Sequence, residues 1–217
     1  MSAFWRTEHN HSARIAITSW GCRAAFARTS AAFPSRTVLN TSDEDVVLVQ
    51  RCLAGDASAF EPLVERYQRP LYNLATRLLG NRDEALDSTQ NAFVKAFENL
   101  ASFDQGQKFF SWIYQILRHE CFNVLRGRRP SAPLPFDLSA PGTPADRLEE
   151  EQRRALVQAA LLDLTEEQRE VVLLRHFTEL SYDEIAASTG VPVKTVKSRL
   201  YSARQRLAAL LTEKNFV

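Results

Sequence analysis

The chain has 217 residues, room for one large or two small domains, and its 45% hydrophobic and 24% charged residues are those of an ordinary soluble globular protein. Formal net charge is only +1, and it is uneven: residues 1–40 carry five Arg against the single acid Glu8, so the remainder sums to −3. A chain this balanced is not a bulk nucleic-acid coater, and any DNA contact must come from local patches. Cys22, Cys52 and Cys121 sit far apart in no pairing or metal-ligand pattern, which points to a reducing cytoplasm, and no apolar run approaches the ~18 residues of a membrane span.

Met1 to Thr41 is rich in Arg, Ser and Ala, nearly free of acids, and without sustained periodicity. Three readings fit: a transit peptide, a disordered tail, or a leader translated from a start assigned too early. His9, His11 and Cys22 have no second Cys at ligand spacing, so no metal or other cofactor is expected.

From Asp43 the chain reads as all-α. Val46, Val47, Val49, Cys52 and Leu53 predict a short helix stopped by Gly55. Asp56 is placed to cap a second, lined by Phe60, Leu63, Val64 and Tyr67, and Pro70 to open a third, lined by Leu71, Leu74, Ala75 and Leu78 and ended by Gly80. Asn81 with Glu84 predicts a capped fourth helix, with Ala85, Leu86, Thr89, Phe93, Ala96, Phe97 and Leu100 inward and Asp87, Gln90, Asn91 and Glu98 outward.

Phe103, Phe109, Phe110, Trp112, Tyr114 and Phe122 then crowd into twenty residues, interleaved with Lys108, Arg118, Arg126, Arg128 and Arg129. Aromatics beside cations form platforms for unstacked bases, worth roughly 1–3 kcal/mol per base. They are equally the core of a small helical domain. Trp112, Ile113 and Ile116 read as core; the loop Asp104 to Lys108 and its flanks fit either description.

Gly127 to Ala145 holds five of the nine prolines and reads as an extended linker between two domains. Helix resumes at Pro144 or Asp146, with Leu148, Ala155, Leu156, Ala159 and Leu162 inward. Thr165 to Gln168 is a capping box for a helix that buries Val171, Val172, Leu174 and Phe177 and leaves Arg169, Arg175 and His176 more exposed. Ser181 to Glu184 is a second box, opening a short helix that ends at Gly190. Beyond it Val193, Val196, Leu200, Ala203 and Leu207 form one apolar stripe, with Lys194, Lys197, Ser198, Tyr201 and Gln205 opposite. Cap, small Ala186, turn-forming Gly190 and apolar plug Val196 describe a helix-turn-helix, whose second helix reads DNA.

The span from Asp43 to Leu211 resembles bacterial RNA polymerase sigma factors of the small extracytoplasmic-function group. The likeness rests on Asp56–Phe60, Asp87–Phe93, Phe109–Tyr114, Leu164–Val171, Leu180–Ala186 and Thr195–Leu200, in this order across a proline-rich linker. It implies two helical domains, residues 42–129 and 146–212, joined by a linker over 130–145. Asp87, Gln90, Asn91 and Phe93 would dock on the β′ clamp helices of core RNA polymerase, and the second domain would meet the β flap. Phe103, Asp104, Gln105, Gln107, Lys108, Phe109, Trp112, His119, Asn123 and Arg126 would engage the opened −10 element of promoter DNA. Lys194, Lys197, Ser198, Arg199, Tyr201, Ser202 and Arg204 would engage the −35 element, Arg199 and Arg204 through phosphates. An anti-sigma factor is an implied partner, and no catalysis is implied.

Asn91 stands where the group usually has an acid, Gln115 and His119 where Arg and Asn are common, and Ser202 where Arg is frequent. A conventional helix-turn-helix regulator, binding duplex DNA as a dimer without polymerase, is the alternative that the aromatic loop and linker disfavour.

Overall fold

The computed structural model describes residues 42–128, 144–178 and 180–213. The N-terminal stretch and most of the proline-rich linker, which carry the expectations of a leader and a tether, lie outside the described residues. Among the described residues all regular structure is helical.

Helix α1 (Ser42–Leu53) carries Asp43, Glu44 and Asp45 in its first turn, the favourable end of the helix dipole. Asp45 is turned inward, where Tyr67 and Arg66 both donate to its carboxylate. Gly55 takes a positive φ of 106°, which lets the chain reverse after the helix. The expected cap at Asp56 does not form: its side chain is taken by Arg51 and Ser58, and a short 3-10 turn, Ala57–Phe60, follows.

The second and third expected helices are one, α2 (Glu61–Leu79), with Pro70 inside it. An interior proline removes a hydrogen bond and costs about 3 kcal/mol. The apolar stripe Leu63, Tyr67, Pro70, Leu71, Leu74 and Leu78 runs across it without a break in period and is buried throughout, so side-chain burial outweighs the local penalty. Gly80 ends the helix at φ 69°, and Asn81 caps α3 (Arg82–Glu98) by accepting from the backbone N–H of Asp83 and Glu84. A 3-10 turn (Leu100–Ser102) and a loop lead to α4 (Phe109–Gly127). Helices α2, α3 and α4 enclose the first core, where Phe60 meets Phe93 and Phe97 edge-on and Tyr67 meets Phe109 and Phe110.

After the linker come α5 (Pro144–Leu162), α6 (Glu166–Phe177), α7 (Tyr182–Thr189) and α8 (Val193–Glu213). Both expected capping boxes are complete, at Thr165/Gln168 and Ser181/Glu184. The core of this unit is Val171, Leu174, Ile185, Val196, Leu200 and Ala203, all within 2% of full burial.

A further expectation is corrected. Arg169 is not on the outer face but buried at 6% exposure. Its guanidinium donates to the carbonyls of Leu161 (2.8 Å), Leu162 (2.9 Å) and Leu164 (3.1 Å), and to that of Leu78. The last carbonyls of a helix lack intrahelical donors. Arg169 supplies them at the ends of α5 and α2 together, which periodicity could not reveal.

The two units are packed against each other, α6 on α2 and α7 on α4. Besides Arg169, Gln158 donates to the carbonyl of Arg77 and the Arg77 guanidinium lies 4.2 Å from the Phe177 ring centre.

Candidate nucleic-acid interface

The C-terminal half of the interface is built by the turn between α7 and α8. Ser181 accepts from the Glu184 N–H while Glu184 accepts from the Ser181 N–H, fixing where α7 begins. Gly190 ends it at φ 71°, and α8 starts three residues later. With Val196, Leu200 and Ala203 buried, the helical period turns Lys194, Lys197, Ser198, Tyr201, Ser202 and Arg204 outward. Tyr201 is 67% exposed, a large ring with no part in the core. Lys197 Nζ sits 5.7 Å from the Tyr182 ring centre. Ser198 and Ser202 donate back to the carbonyls of Thr195 and Ser198, which leaves hydroxyl lone pairs facing solvent.

Arg199 differs from its neighbours. It is half-buried, its Nη1 is buried with no hydrogen-bond partner, and its charge acts on Glu170 in α6. Its guanidinium is thus directed partly inward, unlike the phosphate-facing position expected of it.

The N-terminal half is α4 with the loop before it. Phe103 and Phe109 are 7% and 1% exposed and meet at 5.5 Å edge to face. They are core and offer no free ring face to a base. Asp104 accepts from the Gly106 N–H, and Gln105 accepts from Gln50 of α1, so the loop is braced by its own turn and by a neighbouring helix. Lys108 is ion-paired with Glu184 of α7. Trp112 is 8% exposed, packed on Phe103 and Phe109, and its remaining edge lines an open cavity of about 350 Å³ together with Lys95, Asn99, Gln115, Ile116 and His119. Asn123 and Arg126 are exposed further along, with Arg126 donating to the Asn123 side chain.

Sequence reading identified Trp112 and His119 but not Lys95 and Asn99, which come from α3 and carry no signal of their own. Other cations of the segment are spoken for: Arg118 donates to Glu170, and Arg128 to Glu84 and the Leu79 carbonyl. The aromatic-cationic segment is therefore mostly core and internal pairing, with the Trp112 cavity as an accessible recess.

On α3, Asp87 and Asn91 are exposed and Gln90 is half-buried. Phe93 is corrected: at 3% exposure it is part of the core against Phe60, and it positions the helix rather than touching a partner.

Buried ionisable groups mark the seam between the units. Glu170 is fully buried; burial raises its pKa, against the opposing effect of Arg118 and Tyr114. Glu184 behaves oppositely: burial raises it, but the Lys108 ammonium and the Ser181 donors outweigh this and hold it at about 2.

Comparison with known proteins agrees with both halves. The family model for sigma-70 region 2 matches residues 63–130, and that for sigma-70 region 4 matches residues 154–207. The ECF RNA polymerase sigma factor SigW of Bacillus subtilis (strain 168) is 31% identical over 180 residues, spanning 76% of this chain and 95% of the relative. The ECF RNA polymerase sigma-E factor of Escherichia coli (strain K12) is 35% identical over 176 residues, 75% of this chain and 92% of the relative. Among solved structures, CnrH in complex with the cytosolic domain of CnrY superposes with a TM-score of 0.62 at 30% identity, covering 79% of this chain and 98% of CnrH. The sigma factor RpoE of Bartonella quintana, in complex with the anti-sigma factor NepR, gives 0.56 at 26% identity, covering 70% and 96%. This chain belongs to the extracytoplasmic-function sigma factors of bacterial RNA polymerase.

Proposed function

We infer that this sigma factor reads its promoter with two separately positioned surfaces: the outer face of α8 at the −35 element, and the α4 cavity with its flanking loop at the −10 element. The observation that carries the reading is α8 itself, buried along Val196, Leu200 and Ala203 while Lys197, Ser198 and the 67%-exposed Tyr201 lie on its exposed face. Donors and a ring on one helix face, reached through a helix-turn-helix, are the means by which base edges are read in the major groove. Lys194 and Arg204 flank that face as phosphate contacts, which position without specifying.

At the −10 element the Trp112 cavity is large enough for an unstacked base. His119 and Gln115 are among its hydrogen-bonding groups, with Lys95, Asn99, Ser102 and Glu120, and Asn123 and Arg126 continue along the strand. Asp87, Gln90 and Asn91 form the polar surface for the β′ clamp helices, and the unit of residues 146–212 meets the β flap. Residues 42–129 and 146–212 act as the two reading units, with 130–145 as the tether. Two weak contacts on one chain give specificity through simultaneous engagement. The chain has no reaction of its own and works in the cytoplasm; among the described residues no helix is long and apolar enough to cross a membrane. By analogy with CnrH and RpoE, each solved with a bound partner, an anti-sigma factor is a partner here too.

Run-off transcription with purified core polymerase tests this, using the full chain and a version lacking residues 1–41. The expected result is initiation that requires both the chain and polymerase and is lost when either promoter element is scrambled. Tight duplex binding without polymerase, and no initiation with it, would favour the helix-turn-helix regulator instead.

A further inference from the structure

The last turn of α6 carries cations that the reading of α8 leaves unassigned. Arg175 is half-buried: its Nη1 donates to the Leu180 carbonyl at 2.7 Å, and its guanidinium carbon lies 5.2 Å from the Tyr182 ring centre. Lys197 of α8 approaches the same ring at 5.7 Å. One aromatic side chain at the start of α7 thus gathers a cation from α6 and another from α8. His176 follows Arg175 and is exposed, and α6 packs on α8 so that the charge of Arg204 acts on the imidazole.

Elsewhere the cations are matched: Lys108 pairs with Glu184, Arg118 with Glu170 and Arg128 with Glu84. Among the described residues no carboxylate is ion-paired with Arg175, His176, Lys197 or Arg204. A surface of one sign spread over three helices suits a polyanion. With α8 in the major groove, the anions beside it are the phosphates of the duplex, and Arg204 is already turned to them.

We propose that α6 takes part in −35 binding through a backbone-phosphate site made by His176 and Arg204, in which His176 is bound as the imidazolium. The proposal rests on the reading of α8 as the −35 helix. In the free chain, burial and then the charges of Arg204 and Arg175 lower the His176 pKa below its ordinary 6.5. The groups bearing on the ring are thus Arg175 from its own helix and Arg204 from α8. Tyr182 of α7 is held by Arg175 and Lys197, and Glu179, in the turn after α6, lies outside the described residues. A phosphate seated at the cluster offsets both arginines and favours the charged ring, so binding takes up a proton. The contribution to affinity is full below the free pKa and is lost as pH rises through the higher, bound value.

The test uses holoenzyme assembled from core polymerase and the full chain, as parent, His176→Gln or His176→Arg, binding a promoter fragment from about pH 6 to about pH 8. The advantage of the parent over His176→Gln is expected to be at least about threefold larger at the acid end. His176→Arg, charged throughout, should keep that advantage across the range. At the acid end the plot of log affinity against log salt should be shallower by about one for His176→Gln. The order of preference among −35 base variants should be the same for all three, because phosphate contacts carry no sequence.

Parallel pH profiles for parent and His176→Gln, equal salt slopes, or His176→Arg no better than His176→Gln at the alkaline end would each overturn the site. So would a changed −35 preference, which would make His176 a base contact, or a pH effect confined to affinity for core polymerase without DNA. A parent holoenzyme indifferent to scrambling of the −35 element would instead overturn the reading of α8. The phosphate site needs only duplex beside α6, so the salt and pH comparisons would still decide it.

Discussion

Glu170 of α6 accepts a 2.6 Å hydrogen bond from Arg118 of α4, and its side chain is fully buried while that of Arg118 is 28% exposed. A buried pair of this kind adds little net stability over an apolar alternative, but removing one partner leaves the other uncompensated. Its position makes it a reporter of whether the two units are together.

Glu170→Ala is expected to destabilise the packed state by about 3 kcal/mol, since it strands both the Arg118 guanidinium and the Tyr114 hydroxyl. Glu170→Gln, which keeps an acceptor for both, should cost clearly less. Urea unfolding followed by circular dichroism checks the order, and equal losses would contradict the pairing.

Acid should weaken the seam through Glu184 and not through Glu170. The Glu184 pKa is held at about 2, below its ordinary 4.5, so its ionised form is favoured by folding: its contribution is present above about pH 4.5 and is lost as pH falls toward 2. The Glu170 pKa is raised, so its contribution runs the other way, fullest below its ordinary 4.5 and lost as pH rises through the raised value. Stability measured from pH 6 to 2.5 should therefore fall less steeply for Glu184→Gln than for the parent chain.

Gly190→Ala isolates backbone strain from crowding. A Cβ there would meet nothing within 4 Å, but the φ of 71° is left-handed, a conformation costing roughly 1–2 kcal/mol for a residue with a side chain. Gly80→Ala carries the same strain and adds contacts of 3.0 Å to both Leu162 methyls, so it should lower the melting temperature further.

Lys197→Ala is expected to weaken promoter-specific initiation by about 1–3 kcal/mol if Lys197 reaches a base edge. Run-off yields across −35 variants are the measurement. Unchanged discrimination would assign the residue to phosphate or to its contact with Tyr182.

Asp87→Ala with Gln90→Ala should abolish co-purification with core polymerase while leaving the helical circular dichroism spectrum intact, because Asp87 is exposed and Gln90 only half-buried. Retention of binding would place the docking surface elsewhere.

Much of this chain was determined by local sequence. Both capping boxes, the Gly80 and Gly190 termini, and the two-sided character of α8 follow from periodicity and backbone chemistry that act within one or two helical turns. The family followed from short motifs in fixed order. What local sequence could not determine were relationships between segments distant along the chain. Pro70 looked like a helix start because the local rule favours it there, whereas burial of a stripe on both sides of it carries α2 through. Arg169 looked like surface because a charged residue is usually solvated, whereas the orphan carbonyls of two helices converge on it. Phe93, Phe103 and Phe109 looked available to partners until three helices closed over them. The contact of α7 with α4 has no sequence signature at all: Lys108 and Glu184 are 76 residues apart, and only the folded chain brings the start of α4 and the helix-turn-helix unit together.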